Sequence, residues 1–296
     1  MTFRDHVVAH ELLLLDGGLG SALIARGLPR GTPPELWNLE RGEEVNDVHR
    51  SYVAAGSDAV QTNTFGANLI RLEAYGIAGR CGEINRAAVE LARAASPRFV
   101  IGDVGPTGEY LPPVGKGDVS RWHAAFECQA EALADAGVDA FHVETMSDLR
   151  EAMVALDVLR AVAPEIPIMI SMTFERKKRG FFTVMGDPLV SSLNELAAMG
   201  ATAVGANCGV ASAEMMDLVD EALAGVDAPL AIQPNAGAPR TTPDRGVRYD
   251  QPPEEFADDM ATIAARGVAI IGGCCGTDDR FIASLSRRLR RGSGSS

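Results

Sequence analysis

The amino-acid sequence predicts a single (β/α)8 TIM barrel, on three observations. Short apolar segments alternate eight times with amphipathic helical segments, a rhythm typical of α/β proteins. The apolar segments are nearly continuous, as in Ile168-Met-Ile-Ser-Met, and parallel strands covered on both faces have this composition. The composition of the 296 residues does not shift along the chain in a way that would mark a second domain.

The eight predicted strands are residues 12–15, 59–62, 99–103, 140–143, 168–173, 203–206, 230–233 and 269–271. Helices are predicted to begin near residues 43, 81, 119, 147, 188, 211, 253 and 278. In the third of them, Val119, Trp122 and Phe126 recur on one helical face. Asp187 and Pro188 favour a helix start, because a proline loses nothing at the first helical position. We assign residues 1–291 to one barrel and residues 292–296 to a flexible tail.

Three long loops follow predicted strands, at residues 106–118, 174–187 and 235–251. All three stand at the carboxyl ends of strands, where barrels place their active sites. Long loops at this end often form lids or substrate walls. The second loop contains the basic stretch Arg176-Lys-Lys-Arg179, for which a solvated loop face is favoured over a docking site for an acidic partner.

The net charge of the chain argues against two classes of binding partner. The chain has 27 basic and 40 acidic residues, a formal net charge of −13, which argues against nucleic acid and anionic membranes as partners. No apolar run reaches the roughly 18 residues that a membrane span needs, and we expect no membrane association. The five cysteines are an odd number, which fits a reducing compartment, and we expect the cytoplasm.

Three cysteines follow two of the predicted strands. Cys208 comes after the sixth strand, and Cys274 and Cys275 come after the eighth. These strand ends share one rim of a barrel, so the three thiols converge. Adjacent residues of a strand point to opposite faces, and the pair can reach one metal only if the eighth strand has already ended. The glycines around the pair, Gly273 and Gly276 among them, permit such a backbone.

Three thiolates leave one position of a tetrahedral zinc ion open, which is the pattern of a catalytic site. Soft sulfur ligands favour Zn²⁺ over Mg²⁺ or Ca²⁺. Zinc deprotonates a coordinated thiol, so a fourth, substrate thiolate could attack a methyl carbon without a general base. The alternative, small buried core cysteines, is favoured for Cys81 and Cys128 on their helices. We place none of the histidines, His6, His10, His49, His123 and His142, in the zinc site.

Seven segments carry a family resemblance: Leu15-Asp-Gly-Gly-Leu-Gly20, Gln61-Thr-Asn-Thr-Phe-Gly-Ala-Asn68, Gly102-Asp-Val-Gly-Pro-Thr107, Val143-Glu-Thr-Met-Ser-Asp148, Ala206-Asn-Cys-Gly209, Gln233-Pro-Asn-Ala-Gly237 and Gly272-Gly-Cys-Cys-Gly-Thr277. On these segments the chain resembles the homocysteine S-methyltransferase family. That family includes betaine- and S-methylmethionine-dependent enzymes and the homocysteine module of cobalamin-dependent methionine synthase. The paired cysteines with the upstream Asn-Cys are the most specific of the segments.

The resemblance implies that the three rim cysteines hold the zinc ion. It also implies that Asp16 and Glu144 bind the amino group of the substrate, with the backbone of Gly17 and Gly18 near its carboxylate. Asn235 matches a position that can fill the fourth zinc site before the substrate arrives. The alternatives are a turn residue for Asp16 and a charge partner of a helix N-terminus for Glu144.

Two groups of strand-end residues each have two possible roles. Asp103 ends the third strand and suits a structural hydrogen bond as well as a site role. Asn63, Thr64 and Phe65 end the second strand and could line the methyl-donor side, or could serve only loop packing.

The resemblance implies transfer of a methyl group to homocysteine, forming methionine. The donor would be a small sulfonium or ammonium compound, or a separate methyl-corrinoid protein. Aromatic side chains around the site would stabilise a cationic donor, and Trp37 and Tyr110 are the candidates for these aromatic walls. The alternatives are a zinc subunit that presents a thiol only to a corrinoid partner, a methyltransferase to another thiol or selenol, and a barrel with a structural metal.

Overall fold

The computed structural model describes residues 1–9, 11–241 and 247–292. Its strands are β1 (Leu13–Leu14), β2 (Ala59–Gln61), β3 (Phe99–Val104), β4 (Ala140–Met146), β5 (Ile168–Met172), β6 (Glu175–Lys177), β7 (Gly180–Phe182), β8 (Ala203–Ala211), β9 (Leu230–Asn235), β10 (Arg240–Thr241), β11 (Val247–Arg248) and β12 (Ile270–Ile271). Its helices are α1 (Phe3–Val8), α2 (Leu19–Ala25), α3 (Trp37–Glu40), α4 (Gly42–Ala55), α5 (Leu69–Glu73), α6 (Cys81–Ala94), α7 (Val119–Asp135), α8 (Leu149–Val162), α9 (Leu189–Ala198), α10 (Ser212–Leu223), α11 (Pro253–Ala265) and α12 (Asp279–Gly292).

Eight parallel strands form the predicted barrel, in the order β1, β12, β9, β8, β5, β4, β3, β2. The seam between β1 and β2 is bridged by Asp58. Its N–H donates to the Leu14 carbonyl at 2.8 Å, and its Oδ2 accepts from the Leu14 N–H at 3.0 Å. The fold-class prediction is therefore confirmed, and each of the eight barrel strands overlaps its predicted segment.

The eight predicted helix starts correspond to α4 and α6 to α12, each within two residues. Four shorter helices were not predicted: α1, α2, α3 and α5. They have seven residues or fewer, too short to show an apolar periodicity. Of the predicted tail, Gly292 is the last residue of α12, and residues 293–296 lie outside the described part of the chain.

Two of the three predicted loops contain antiparallel hairpins. β6 pairs with β7 within 174–187, and β10 pairs with β11 within 235–251. The first hairpin turns at Gly180, which has a φ of +118°, a value open to glycine at little cost. Residues 242–246 of the third loop lie outside the described residues. The loop 106–118 has no helix or strand, as predicted.

Alternate strand residues divide between two apolar layers. One buried cluster fills the barrel interior and contains Leu13, Ile101 and Met169. The other, much larger cluster lies between the strands and the surrounding helices. Helix α1 closes the amino end of the barrel, where Phe3 packs edge-on against Phe99 with ring centroids 5.7 Å apart. This alternation fixes which side chains of each strand face the interior.

Towards the carboxyl ends of the strands, the same interior positions become polar. Gln61 and Gln233 are buried and joined by a hydrogen bond of 2.8 Å from Nε2 of Gln233 to Oε1 of Gln61. His142 Nε2 and Ser171 Oγ are 2.8 Å apart and fully buried. These four buried side chains form a polar layer beneath the carboxyl-end rim of the barrel, called the polar floor below. No described helix is both long enough and apolar enough to span a bilayer.

Candidate active site

A cavity of about 290 Å³ opens at the carboxyl-end rim, above the polar floor. Most of the residues predicted from strand ends line it: Gly17, Gly18, Asn63, Thr64, Phe65, Asp103, Glu144, Cys208, Cys274 and Cys275. The ends of β1, β2, β3, β4, β8 and β12 therefore contribute to one site.

The three rim cysteines come together at this cavity. The ligand atoms of Cys208, Cys274 and Cys275 all lie within 4.8 Å of one another. β12 ends at Ile271, so the paired cysteines occupy a turn rather than a strand, as their adjacency requires. Gly18 allows the close packing of this turn, since a Cβ there would lie 2.5 Å from the Cys274 carbonyl oxygen.

Cys208 is aimed into the cavity by an irregular strand. The pairing of β8 with β9 shifts register between Asn207 and Ala211, and Cys208 has a φ of +59°. Such a bulge re-aims a side chain, and bulges are common beside active sites. A positive φ in a residue with a side chain carries strain that its surroundings must hold in place.

The donor set fits a zinc ion. Tetrahedral zinc with bonds near 2.3 Å needs sulfur atoms roughly 3.8 Å apart, within the spacing of this cluster. Hydrogen bonds from the Cys274 and Cys275 thiols lower the pKa of Cys208 to about 3, so the cluster stabilises a thiolate. The described residues contain no second group of His, Cys, Asp and Glu with this spacing. His10 lies outside the described residues.

Two further side chains contact the sulfur cluster. The Asn235 side chain hydrogen-bonds Cys208, and its buried Oδ1 has no partner within the described chain. That oxygen is available as a ligand, in keeping with the predicted role of Asn235. Tyr249, which sequence reasoning missed, interacts with Cys275, and its ring packs where a Cβ on Gly276 would lie.

Asp16 is buried directly before the lining residue Gly17, and Glu144 is half-buried and lines the cavity. Asp16 Oδ2 accepts from the Gln61 N–H at 2.9 Å, and its Oδ1 has no partner within the described residues. Burial raises the pKa of Asp16 well above its usual range. Burial and then the charge of Cys208 raise the pKa of Glu144 to about 8. The α8 N-terminus is capped by Asp148 instead, so Glu144 is not its charge partner.

Asp103 lies beside Glu144, within reach of a hydrogen bond between the two carboxyl groups. Burial, followed by the charges of Glu144, Asp16 and Glu35, raises the pKa of Asp103. The site therefore contains three neighbouring carboxyl groups, of which Asp16 and Asp103 are buried and Glu144 is half-buried, one group more than the resemblance implied.

The glycine turn after β1 differs in detail from the expectation. The Gly18 N–H donates to the Thr277 carbonyl at 3.0 Å and to Thr277 Oγ1 at 3.1 Å, so it is already engaged. Gly17 lines the cavity, and so do Leu19 and Gly20 in the first turn of α2. First-turn N–H groups have no partner within a helix and favour anions.

Asn63, Thr64 and Phe65, in the loop after β2, all line the cavity but have different roles. Asn63 Nδ2 donates to the Pro34 carbonyl at 2.8 Å, and Thr64 Oγ1 donates to the Asp103 carbonyl at 2.7 Å. These side chains pack the loop, as the alternative expected. Phe65 is half-buried and presents an apolar surface to the cavity.

The outer cavity holds residues that sequence reasoning missed. Glu35, Arg71 and Tyr75 line it, and Glu35 Oε1 accepts from the Gly66 N–H at 2.6 Å. The aromatic lining residues are Phe65 and Tyr75. The suggested aromatic walls are not among the lining residues: Trp37 is 4% exposed beneath Arg41, and the Tyr110 hydroxyl bonds Ser147 Oγ at 3.2 Å.

Residues 13–289 match the sequence pattern of the family described as "Homocysteine S-methyltransferase". The chain belongs to the homocysteine S-methyltransferase family. It is 31% identical over 299 residues to methionine synthase of Mycobacterium tuberculosis (strain ATCC 25618 / H37Rv), and 31% identical over 303 residues to that of Mycobacterium leprae (strain TN). These matches cover 95% and 96% of the chain but 25% of each relative, so the chain spans a quarter of their length.

Solved structures of the family share the fold. The metallated form of the homocysteine methyltransferase MmuM from Escherichia coli superposes with a TM-score of 0.78 at 27% identity, covering 94% of this chain and 96% of that one. The apo form of the same enzyme gives a TM-score of 0.72 at 26% identity with the same coverage. The predicted membership of this enzyme family is therefore confirmed.

Proposed function

We propose that this family member transfers a methyl group to the thiol of homocysteine, forming methionine, at a Zn²⁺ ion held by Cys208, Cys274 and Cys275. The observation that carries the proposal is the cluster of three sulfur ligands within 4.8 Å, at a cavity that also holds buried carboxyl groups. When bound, Zn²⁺ would lower the pKa of the incoming thiol and keep it as a thiolate near neutral pH.

The protein groups around the cavity then orient the amino acid. Asp16 and Glu144 face its ammonium group, which compensates the burial of Asp16 and the partial burial of Glu144. Gly17 and the first turn of α2 face its carboxylate through backbone N–H groups. Asn235 hydrogen-bonds Cys208, and its buried Oδ1 would be the fourth ligand of a bound ion before the substrate arrives. The two polar groups of the amino acid thus fix its sulfur beside the cysteines.

The methyl transfer is a displacement at carbon. The substrate sulfur forms the new S–CH3 bond while the bond between methyl and donor breaks, and the bonding electron pair leaves with the donor. The thiol proton passes to solvent when the thiolate forms. The apolar surface of Phe65 and the exposed side of the outer cavity receive the donor.

Two donors suit this arrangement: a small sulfonium or ammonium compound, and a separate methyl-corrinoid protein. The small compound fits the enclosed outer cavity, with Phe65 and Tyr75 as its aromatic walls. The corrinoid alternative comes from the resemblance to the homocysteine module of cobalamin-dependent methionine synthase, and the two relatives named methionine synthase are about four times as long as the segment this chain matches. Because the site needs three reduced thiols, we place the reaction in a reducing compartment, the cytoplasm.

The proposal is tested with purified protein, homocysteine and a donor panel of S-methylmethionine, S-adenosylmethionine, betaines, methylcobalamin and methyltetrahydrofolate. We expect the protein to hold zinc, and Cys208→Ser to lower zinc content and reduce methionine formation by about a hundredfold or more. Cys128→Ser, on the outer helix α7, is the matched control and should change neither. Full activity of metal-free protein would refute the mechanism.

The alternatives give different results in the same experiment. Turnover only after a methylated corrinoid protein is added would favour a thiol-presenting subunit. Loss of the folded state in Cys208→Ser, seen by circular dichroism, would favour a structural metal. Faster methylation of selenohomocysteine than of homocysteine would point to a selenol acceptor.

A further inference from the structure

Asp103 is held in the fold by its main chain. Its N–H donates to Thr62 Oγ1 at 3.0 Å, and its carbonyl accepts from Thr64 Oγ1 at 2.7 Å and from Gln129 Nε2 at 3.2 Å. All three bonds are independent of the residue's side chain and survive its replacement. The carboxyl group is therefore not what anchors this strand end.

The carboxyl group itself has little support from the fold. The residue is 5% exposed, its Oδ1 has no hydrogen-bond partner within the described residues, and the group beside it is another carboxyl, that of Glu144. The ionisable groups that act on it are all acids: Glu144, Asp16 and Glu35. Burying such a group costs stability unless a partner compensates it. A hydrogen bond with Glu144 leaves Asp103 Oδ1 without a donor among the described residues, and a cation that is not part of the chain could supply one.

The cavity shows where that cation belongs. Asp103 and Glu144 line it, Asp16 directly precedes the lining residue Gly17, and both Asp16 and Asp103 have a buried Oδ1 without a partner in the described residues. A primary ammonium has three N–H donors, and a carboxyl oxygen accepts a hydrogen bond whether or not the group is ionised. We propose that Asp103 is the third acceptor for the α-ammonium of the amino-acid substrate, beside Asp16 and Glu144. This inference rests on the proposed function.

The consequence is selection for thiols that carry a primary amine. A thiol without the amino group would leave the buried Oδ1 atoms of Asp16 and Asp103 without a donor, and sites of this kind reject such analogues strongly. The residue would thus determine specificity for the acceptor, not the methyl donor.

Binding of two ligands to the zinc-loaded full chain tests the inference without a methyl donor. Isothermal titration calorimetry would compare L-homocysteine with 4-mercaptobutanoate, which differs from it only by lacking the amino group. We expect the wild-type protein to prefer homocysteine. Asp103→Ala should reduce that preference about tenfold to a hundredfold, because it removes one acceptor from a charged donor. Asp103→Asn keeps an acceptor oxygen and should reduce it less.

A stability readout separates this role from a structural one. Because Asp103 Oδ1 has no donor among the described residues and the neighbouring charges are all acidic, Asp103→Asn should raise the melting temperature of the ligand-free protein or leave it unchanged. The matched control is Asp139→Asn, before β4 at the opposite barrel end. There Asp139 Oδ2 accepts from the Val100 N–H at 2.6 Å and pairs with Arg93 at 2.7 Å. This control should lower the melting temperature and leave the ligand preference unchanged.

Two results would overturn the inference: an unchanged preference in both Asp103 variants, or a lower melting temperature in Asp103→Asn. Asp103→Asn keeps the test decisive if Asp103→Ala does not fold. If the wild-type protein binds no homocysteine, the proposed function is refuted, and this inference with it.

Discussion

Asn207 is the residue at which the two halves of the site meet. Its Nδ2 donates to Glu144 Oε2 at 2.6 Å and to Thr145 Oγ1 at 2.8 Å, and it lies 3.8 Å from Cys274 Sγ. Its Oδ1 accepts from the Thr145 N–H at 2.8 Å. One fully buried amide thus contacts a carboxyl group predicted to bind the amino group and a cysteine predicted to bind zinc.

The same amide holds a strained backbone. Thr145 has a φ of +58°, an unusual value for a β-branched residue, and the pairing of β4 with β5 shifts register there. Cys208, next to Asn207, has a φ of +59°. The hydrogen bonds between the Asn207 amide and Thr145 hold the Thr145 backbone in this conformation. The amide therefore keeps the neighbouring Glu144 side chain pointed into the cavity.

Replacing Asn207 with alanine should therefore weaken both stability and binding. The variant leaves the Thr145 N–H without its partner and releases Glu144, and we expect a loss of about 2–3 kcal/mol in the free energy of unfolding. Homocysteine affinity should fall by about tenfold. Urea denaturation and calorimetry measure the two effects.

The control for Asn207 is Asn46→Ala on α4. Asn46 is also buried, and its Nδ2 donates to the Leu91 carbonyl at 2.7 Å, far from the cavity. This variant should lose stability and keep its affinity for homocysteine. Equal losses of affinity in both variants would contradict the role given to Asn207.

At the scale of elements, β8 and β9 lie unusually close at one point. A Cβ on Gly205 would stand 1.8 Å from the Ala231 carbonyl oxygen, closer than any side chain can approach. Gly205 pairs directly with Ala231 in the sheet, so neither strand can move aside without breaking the ladder.

Gly205→Ala should consequently lower the free energy of unfolding by more than about 3 kcal/mol or prevent folding. The matched variant is Gly79→Ala, where an added Cβ meets nothing within 4 Å. It should stay within about 0.5 kcal/mol of the wild-type protein. Chemical denaturation measures both, and a Gly205→Ala protein of native stability would show that β8 and β9 can separate.

The elements also explain which parts of the site the sequence could predict. Glu144 and Cys208 lie in the carboxyl-end parts of β4 and β8, and Cys274 follows β12. The carboxyl ends of parallel strands meet at one rim whatever the conformation of the loops. Glu35 lies in a short 3-10 segment far from any strand end, and no periodicity marks it. The role of Asn207 could not be predicted from the sequence for another reason. Its reach from β8 to β4 depends on two bulges, and the sequence gives no sign of a register shift.

For the whole molecule, two buried histidines tie stability to pH. His49 on α4 is fully buried, neither ring nitrogen has a partner within the described residues, and burial lowers its pKa to about 4. Burial also lowers the pKa of His142 to about 3. The unfolded chain, with an ordinary value of 6.5, binds these protons more readily. Stability is therefore complete above pH 6.5 and is lost as the pH falls from there towards the folded values.

His49→Leu should flatten this acid dependence. Between about pH 7 and about pH 4, the wild-type protein should lose about 3 kcal/mol more of its unfolding free energy than the variant. Urea denaturation at a series of pH values measures the difference. Both proteins should be metal-free, because thiolate ligands release their metal in acid. Parallel curves for the two proteins would contradict the prediction.

The pairing of the first barrel strand with the last sets the order in which the molecule can be completed. Leu13 and Leu14 pair in register with Ile270 and Ile271, more than 250 residues later. A chain growing from its amino end on the ribosome can bond Leu14 to Asp58 early, but the other edge of the first strand stays unpaired until nearly the whole barrel has been made. The pocket, which joins the turn after that strand to the last two cysteines, is finished only after synthesis has passed them.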